Sequence, residues 1–261
     1  NSLIEINNIK INYSQYGNTS FTPLIMINSL GADHTLWESL ISVLKNDFFI
    51  TCYDKRGHGS SDAGNDEYSI ELHMNDLLQL MSKLEIKKAL ICGISVGGMI
   101  AQKLAASHPH KVEGLILCNT AVKIGTKEFW TKRVADLSKN RLTNISDAIV
   151  CKWFSQQYDK SKTNKWRNML NNTSTQGYIG TCKAIIKTDL TEISKTITAP
   201  TLIIGAEEDV STPPDNQYTL SKLIKGSRVR IIKEAGHLPC IEKPDILAKH
   251  IMEFIKENDF V

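Results

Sequence analysis

The chain alternates short apolar runs rich in β-branched residues with segments of helical spacing, and that alternation leaves few folds open. Eight runs recur: IEIN and IKINYSQYG at the start, PLIMIN at 23–28, FFITCYD at 48–54, ALICG at 89–93, GLILCN at 114–119, TLIIG at 201–205 and RVRIIK at 228–233. Between the later ones, Leu72, Leu77, Leu80, Met81 and Leu84 recur at helical spacing, and a helical pattern with Met99, Ile100, Leu104 and Ala105 follows ALICG. Strands apolar along both faces have to be covered on both, which helical crossovers between parallel strands achieve. The expectation is an α/β fold with a mostly parallel eight-stranded sheet flanked by helices. Its first two strands pair most simply as an antiparallel hairpin.

The alternation stops between residues 121 and 196, where EFWTKRVADL, ISDAIVCKWFSQQY and NKWRNMLNNT read as successive helices with no strand between them. We read residues 121–196 as a helical cap inserted into a core of residues 1–120 and 197–261. The insertion holds Trp130, Trp153 and Trp166, which can supply packing area, wall a cavity, or do both. TAPTLIIG at 198–205 returns to the strand pattern after a proline-marked boundary.

The formal charge of +3 is dispersed along the chain, and no basic run interleaves with aromatics, so nucleic acid is not an expected partner. No segment approaches the roughly 18 uninterrupted apolar residues of a membrane span. The N-terminal stretch lacks the basic-then-apolar layout of a signal peptide, and the expected location is cytoplasmic, although residue 1 is Asn rather than Met. Cys52, Cys92, Cys118, Cys151, Cys182 and Cys240 are too dispersed for a zinc pattern. They read as free thiols of a reducing compartment, because a chain of this length and apolar content needs no covalent staple.

Chemistry enters at GISVGG, residues 93–98, a G-x-S-x-G pattern with an apolar strand before it and a helix after it. Such a turn would expose Ser95 at the carboxyl end of the sheet, although small residues at a tight turn need no chemistry to explain them. A serine hydroxyl requires a base, and the base an orienting acid. His237, in EAGHLPC just after RVRIIK, occupies the kind of loop where an open α/β sheet gathers functional groups. GAEEDVSTPP, directly after TLIIG, offers Glu207, Glu208 and Asp209 as the acid. The backbone N–H of Val96 and one from the loop NSLGADHTLW, with Leu30 the candidate, would form an oxyanion hole.

These residues resemble the α/β-hydrolase superfamily over essentially the whole chain, through YDKRGHGSSD, GISVGG, GAEEDVSTPP and AGHLPCIEKP. More narrowly, the chain is similar to the 3-oxoadipate enol-lactonases of bacterial aromatic catabolism. That likeness rests on NSLGADHTLW, YDKRGHG, CNTAVKIGTKEFWTKRV and GYIGTCKAIIKTDL. It departs at Asn28-Ser29, where many relatives carry His-Gly.

The resemblance implies an α/β-hydrolase fold, the triad Ser95, Asp209 and His237, and no metal or organic cofactor. It selects Asp209 over its glutamate neighbours and makes Asp54 and Arg56 structural, with no catalytic role for His58; His34 is left to packing or solvent. The implied activity is hydrolysis of 3-oxoadipate enol-lactone in the β-ketoadipate pathway. The implied partner is a small lactone bearing a carboxylate, for which Arg133 is the first cationic candidate and Lys123 the second. Trp130 and Trp153 could wall the lactone ring. Rival readings are a small carboxylesterase or cofactor-free perhydrolase sharing the triad, and a ligand-binding module that keeps the fold without turnover.

Overall fold

A computed structural model describes residues 1–260. The eight runs become β1 (Ser2–Ile6), β2 (Ile9–Tyr16), β3 (Thr22–Ile27), β4 (Phe48–Tyr53), β5 (Ala89–Ile94), β6 (Val112–Cys118), β7 (Thr201–Ala206) and β8 (Arg228–Ile232). They form one sheet in the order β1-β2-β4-β3-β5-β6-β7-β8. The β1–β2 and β2–β4 pairs are antiparallel and the other five are parallel. Every residue of β5 and β7 is buried, which is why both strands read as continuous apolar runs without alternation.

The helices are α1 (Glu38–Leu44), α2 (Ile70–Lys83), α3 (Val96–Ser107), α4 (Lys127–Lys139), α5 (Leu142–Val150), α6 (Thr163–Asn171), α7 (Thr175–Ile186), α8 (Thr191–Ser194), α9 (Pro214–Leu223), α10 (Pro239–Glu242) and α11 (Pro244–Glu257). α1 packs on α11, and α3 packs on α2, α8 and β5, so helices cover the sheet. Starts are set by ordinary caps. The Ser69 hydroxyl accepts from Leu72 N at 2.9 Å to open α2, and the Thr126 hydroxyl accepts from Phe129 N at 3.1 Å to open α4.

Between β6 and β7 the chain forms the helices α4 to α8 and no strand. One expectation is corrected there: ISDAIVCKWFSQQY is not a single helix, because α5 ends at Val150 and residues 151–158 turn repeatedly. The turns bury Trp153 and stack Phe154 on Tyr158, with centroids 4.1 Å apart. This helical segment meets the core backbone to backbone at Gly57 and Gly177. A Cβ on Gly177 would lie 2.1 Å from the Gly57 carbonyl oxygen. No helix among the described residues is long and apolar enough to cross a membrane.

Candidate active site

Parallel strands end on the same side of a sheet, so the loops after β3, β5, β7 and β8 converge at one edge. Ser95 stands between β5 and α3 with φ 56° and ψ −120°, a conformation that costs a non-glycine residue about 1–3 kcal/mol. The surroundings hold it there. Its N–H donates to the Cys118 carbonyl at 3.0 Å, and its own carbonyl accepts from the Thr120 hydroxyl at 2.6 Å. Gly97 lets the start of α3 pass close to the end of β3, since a Cβ at that position would lie 2.2 Å from the Ile27 carbonyl oxygen.

His237 follows β8 and is 5 % exposed, and its Nδ1 lies 2.9 Å from Asp209 Oδ2. Asp209 follows β7 and accepts from four further donors: Asn119 Nδ2 at 2.9 Å, the Ser211 and Thr212 amides at 2.9 and 3.0 Å, and the Thr212 hydroxyl at 2.8 Å. Burial pushes this carboxyl up. The charge of His237 and the hydrogen bonds from His237, Asn119 and Thr212 outweigh it and hold Asp209 below the usual carboxylate range. Glu207 and Glu208 are engaged elsewhere, accepting from the Glu234 and Gln156 amides at 3.2 Å each.

Ser95, His237 and Leu30 open onto one cavity of about 390 Å³. Val96, buried at the first position of α3, has an N–H with no intrahelical acceptor, as at the start of any helix. The helical segment after β6 closes the other side with Phe129, Trp130, Arg133, Ile149, Lys152, Trp153 and Tyr178. Both tryptophans therefore wall the cavity while remaining buried, and the Trp130 indole N–H donates to the Ile124 carbonyl at 2.8 Å. Arg133 is half-buried, donates to the Tyr178 hydroxyl at 2.8 Å and lies 5.1 Å from the Phe129 ring centroid.

Lys123 does not line the cavity. The Val122 and Ile124 flanks are buried, which turns the side chain between them out to solvent. Lys152, which sequence reasoning passed over, is the second cation of the cavity wall. Asn119 reads in the sequence only as the polar end of a strand, yet it braces Asp209. Ser29 lines the cavity too, and its buried hydroxyl has no hydrogen-bond partner among the described residues.

Of the two expectations for His34, packing holds, because the residue is buried. Its Nδ1 and backbone N–H both lie 2.8 Å from Asp54 Oδ1. The hydrogen bond to Asp54 raises the imidazole above its ordinary pKa against the effect of burial. Arg56 spans Asp76 and Asp66 from a buried position, a bracing role in the loop ahead of the elbow. Among the described residues, no group of three or more His, Cys, Asp or Glu side chains is placed to hold a metal ion.

A serine at a strained turn, an imidazole and a buried carboxylate, in the chain order Ser, Asp, His, are the parts of an acyl-transfer site. The family described as alpha/beta hydrolase fold matches residues 22–244. The chain belongs to that family. It is 31 % identical over 254 residues to 3-oxoadipate enol-lactonase 2 of Acinetobacter baylyi, covering 96 % of this chain and 94 % of the relative. It is 32 % identical over 237 residues to 3-oxoadipate enol-lactonase 1 of the same organism, covering 89 % of this chain and 88 % of the relative. Among solved structures it is similar to the enol-lactonase from Burkholderia xenovorans, with a TM-score of 0.95 and 31 % identity, covering 98 % of this chain and all of that one.

Proposed function

We propose that this protein hydrolyses 3-oxoadipate enol-lactone to 3-oxoadipate. The observation that carries the reading is the cavity itself: a largely apolar wall of Phe129, Trp130, Ile149 and Trp153, interrupted by the cations Arg133 and Lys152, above Ser95 and His237. A carboxylated lactone needs a polar floor for its carbonyl, an apolar wall for its ring and a cation for its carboxylate. The full-length likeness to enol-lactonases supports the same substrate.

In this reading His237 Nε2 takes the Ser95 proton as Oγ attacks the lactone carbonyl. Asp209 fixes the tautomer through Nδ1 and stabilises the imidazolium. The Leu30 and Val96 N–H groups receive the oxyanion. Collapse of the tetrahedral intermediate breaks the bond to the ring oxygen, which takes the proton from the His237 imidazolium and leaves as an enol, returning His237 to its neutral form. Its ketonisation makes the ring opening hard to reverse. His237 then activates water to release 3-oxoadipate and regenerate Ser95.

Arg133→Met tests the substrate assignment. The expected result is a fall in kcat/KM for the carboxylated enol-lactone of at least about tenfold, the scale of one lost charge-assisted hydrogen bond. Hydrolysis of a neutral ester should change far less. Equal losses on both substrates would remove Arg133 from carboxylate recognition and favour a small carboxylesterase.

A further inference from the structure

Lys55 is 1 % exposed, lies two residues beyond the end of β4, and plays no part in the chemistry above. Its Nζ lies 2.6 Å from the Ser29 carbonyl oxygen and 3.3 Å from that of Asn28. The Ser29 carbonyl also accepts the Ala32 amide at 3.3 Å. The carbonyl of Ser29 and the N–H of Leu30 belong to one peptide unit, and in a planar trans peptide they point in opposite directions. None of the described peptide bonds is cis. A hydrogen bond that holds the Ser29 oxygen towards Lys55 therefore turns the Leu30 N–H away from Lys55, and Ser29 and Leu30 both line the cavity.

We propose that Lys55 is the positioning residue of the oxyanion hole, pinning the Ser29–Leu30 peptide so that the Leu30 N–H is aimed before substrate arrives. The inference rests on the acyl-transfer reading of this site. A preorganised donor is worth more than one that must reorient during reaction, because the cost of orienting it is met in folding. The burial of Lys55 agrees with a specific role. Removal from water pushes its ammonium down to about 7, against the opposing charges of Asp54 and Asp33. Burial first, and the charge of Lys55 after it, push His58 and His73 down from the ordinary imidazole range. The neighbouring side chains hold the rest of the loop: Trp37 Nε1 donates to Asn28 Oδ1 at 2.7 Å, and Asn28 Nδ2 donates to the Tyr53 carbonyl at 2.8 Å. Loss of Lys55 should loosen one peptide without collapsing the loop.

The test compares wild type with Lys55→Met and Lys55→Gln, using p-nitrophenyl acetate as substrate and phenylboronic acid as a probe that forms a tetrahedral adduct on Ser95. For Lys55→Met the expected result is a kcat lower by about 10- to 100-fold, at or below the loss of one whole oxyanion donor, with KM within about twofold. Boronate affinity should fall in step. Lys55→Gln, which keeps a shorter donor, should lie between wild type and Lys55→Met. A structure of the wild-type boronate adduct keeps the test open even where Lys55→Met does not fold. It should show the Leu30 N–H about 3 Å from the adduct oxygen, with Lys55 still on the Ser29 carbonyl. Folded variants that match wild type in kcat and boronate affinity, or an adduct with that peptide turned away, would overturn the role. A wild type that neither cleaves the ester nor binds the boronate would instead overturn the acyl-transfer reading, and the role of Lys55 with it.

Discussion

Single side chains in this protein acquire their properties from the carboxylates they meet. His34 and Asp54 form a buried pair in which each favours the charged form of the other. Because the folded imidazole has a pKa raised above 6.5, the folded state holds a proton that the unfolded chain has begun to release. The stability from this pair is thus fully present below 6.5 and is lost as pH rises through the raised folded value. Denaturant titrations across that range should show the decline in wild type and a flatter curve in His34→Gln; identical curves would contradict the pairing. The residues differ in how legible they were. GISVGG gave Ser95 a position, and the later loops gave its partners, but three adjacent acids could not be ranked by spacing. Asp209 is distinguished by its donors, three of them local, one from His237 and one from Asn119 ninety residues away. Lys123 and Lys152 show the same limit, since the direction a loop or turn gives a side chain depends on flanking burial that only the folded chain reveals.

Elements set the distance between the two proposed oxyanion donors. Val96 opens α3 and Leu30 follows β3, and Gly97 is the point where these segments touch, with the Ile27 and Asn28 carbonyl oxygens 2.2 and 2.8 Å from where a Cβ would stand. Both are backbone atoms, so no side chain can move aside. Gly97→Ala is expected to cost about 1–3 kcal/mol of stability, as overpacking does, and to lower kcat by separating the donors. Thermal melts and ester turnover check it, and an alanine variant with unchanged kcat would mean the contact does not set the hole. At this scale the strands were the clearest part of the sequence, because a strand buried on both faces leaves an uninterrupted apolar run. The helices α1, α7 and α9 carry a weak signal in the sequence. α1 is only seven residues long, α7 carries two glycines, and α9 opens on a proline pair that reads equally well as a loop. The end of α5 is illegible in the sequence because CKWFSQQY keeps helical composition while aromatic packing turns the chain.

For the molecule as a whole, the segment between β6 and β7 supplies most of the cavity wall while the sheet edge supplies the reacting groups. Glu242 ties the two together, accepting from Ser155 N at 2.7 Å with one oxygen and from Gly236 N, next to His237, at 2.9 Å with the other. The loop carrying the proposed base is therefore fixed to the segment carrying the proposed carboxylate ligand. That relation could not be read from the sequence, because it joins residues far apart through backbone amides that carry no residue signature. The central claim is that Ser95 opens a carboxylated enol-lactone inside this enclosure. The most direct measurement follows the ultraviolet absorbance of 3-oxoadipate enol-lactone with wild type and with Ser95→Ala at equal concentration. The account predicts rapid loss with wild type and loss at the spontaneous rate with Ser95→Ala; decay at the same rate with both would contradict it.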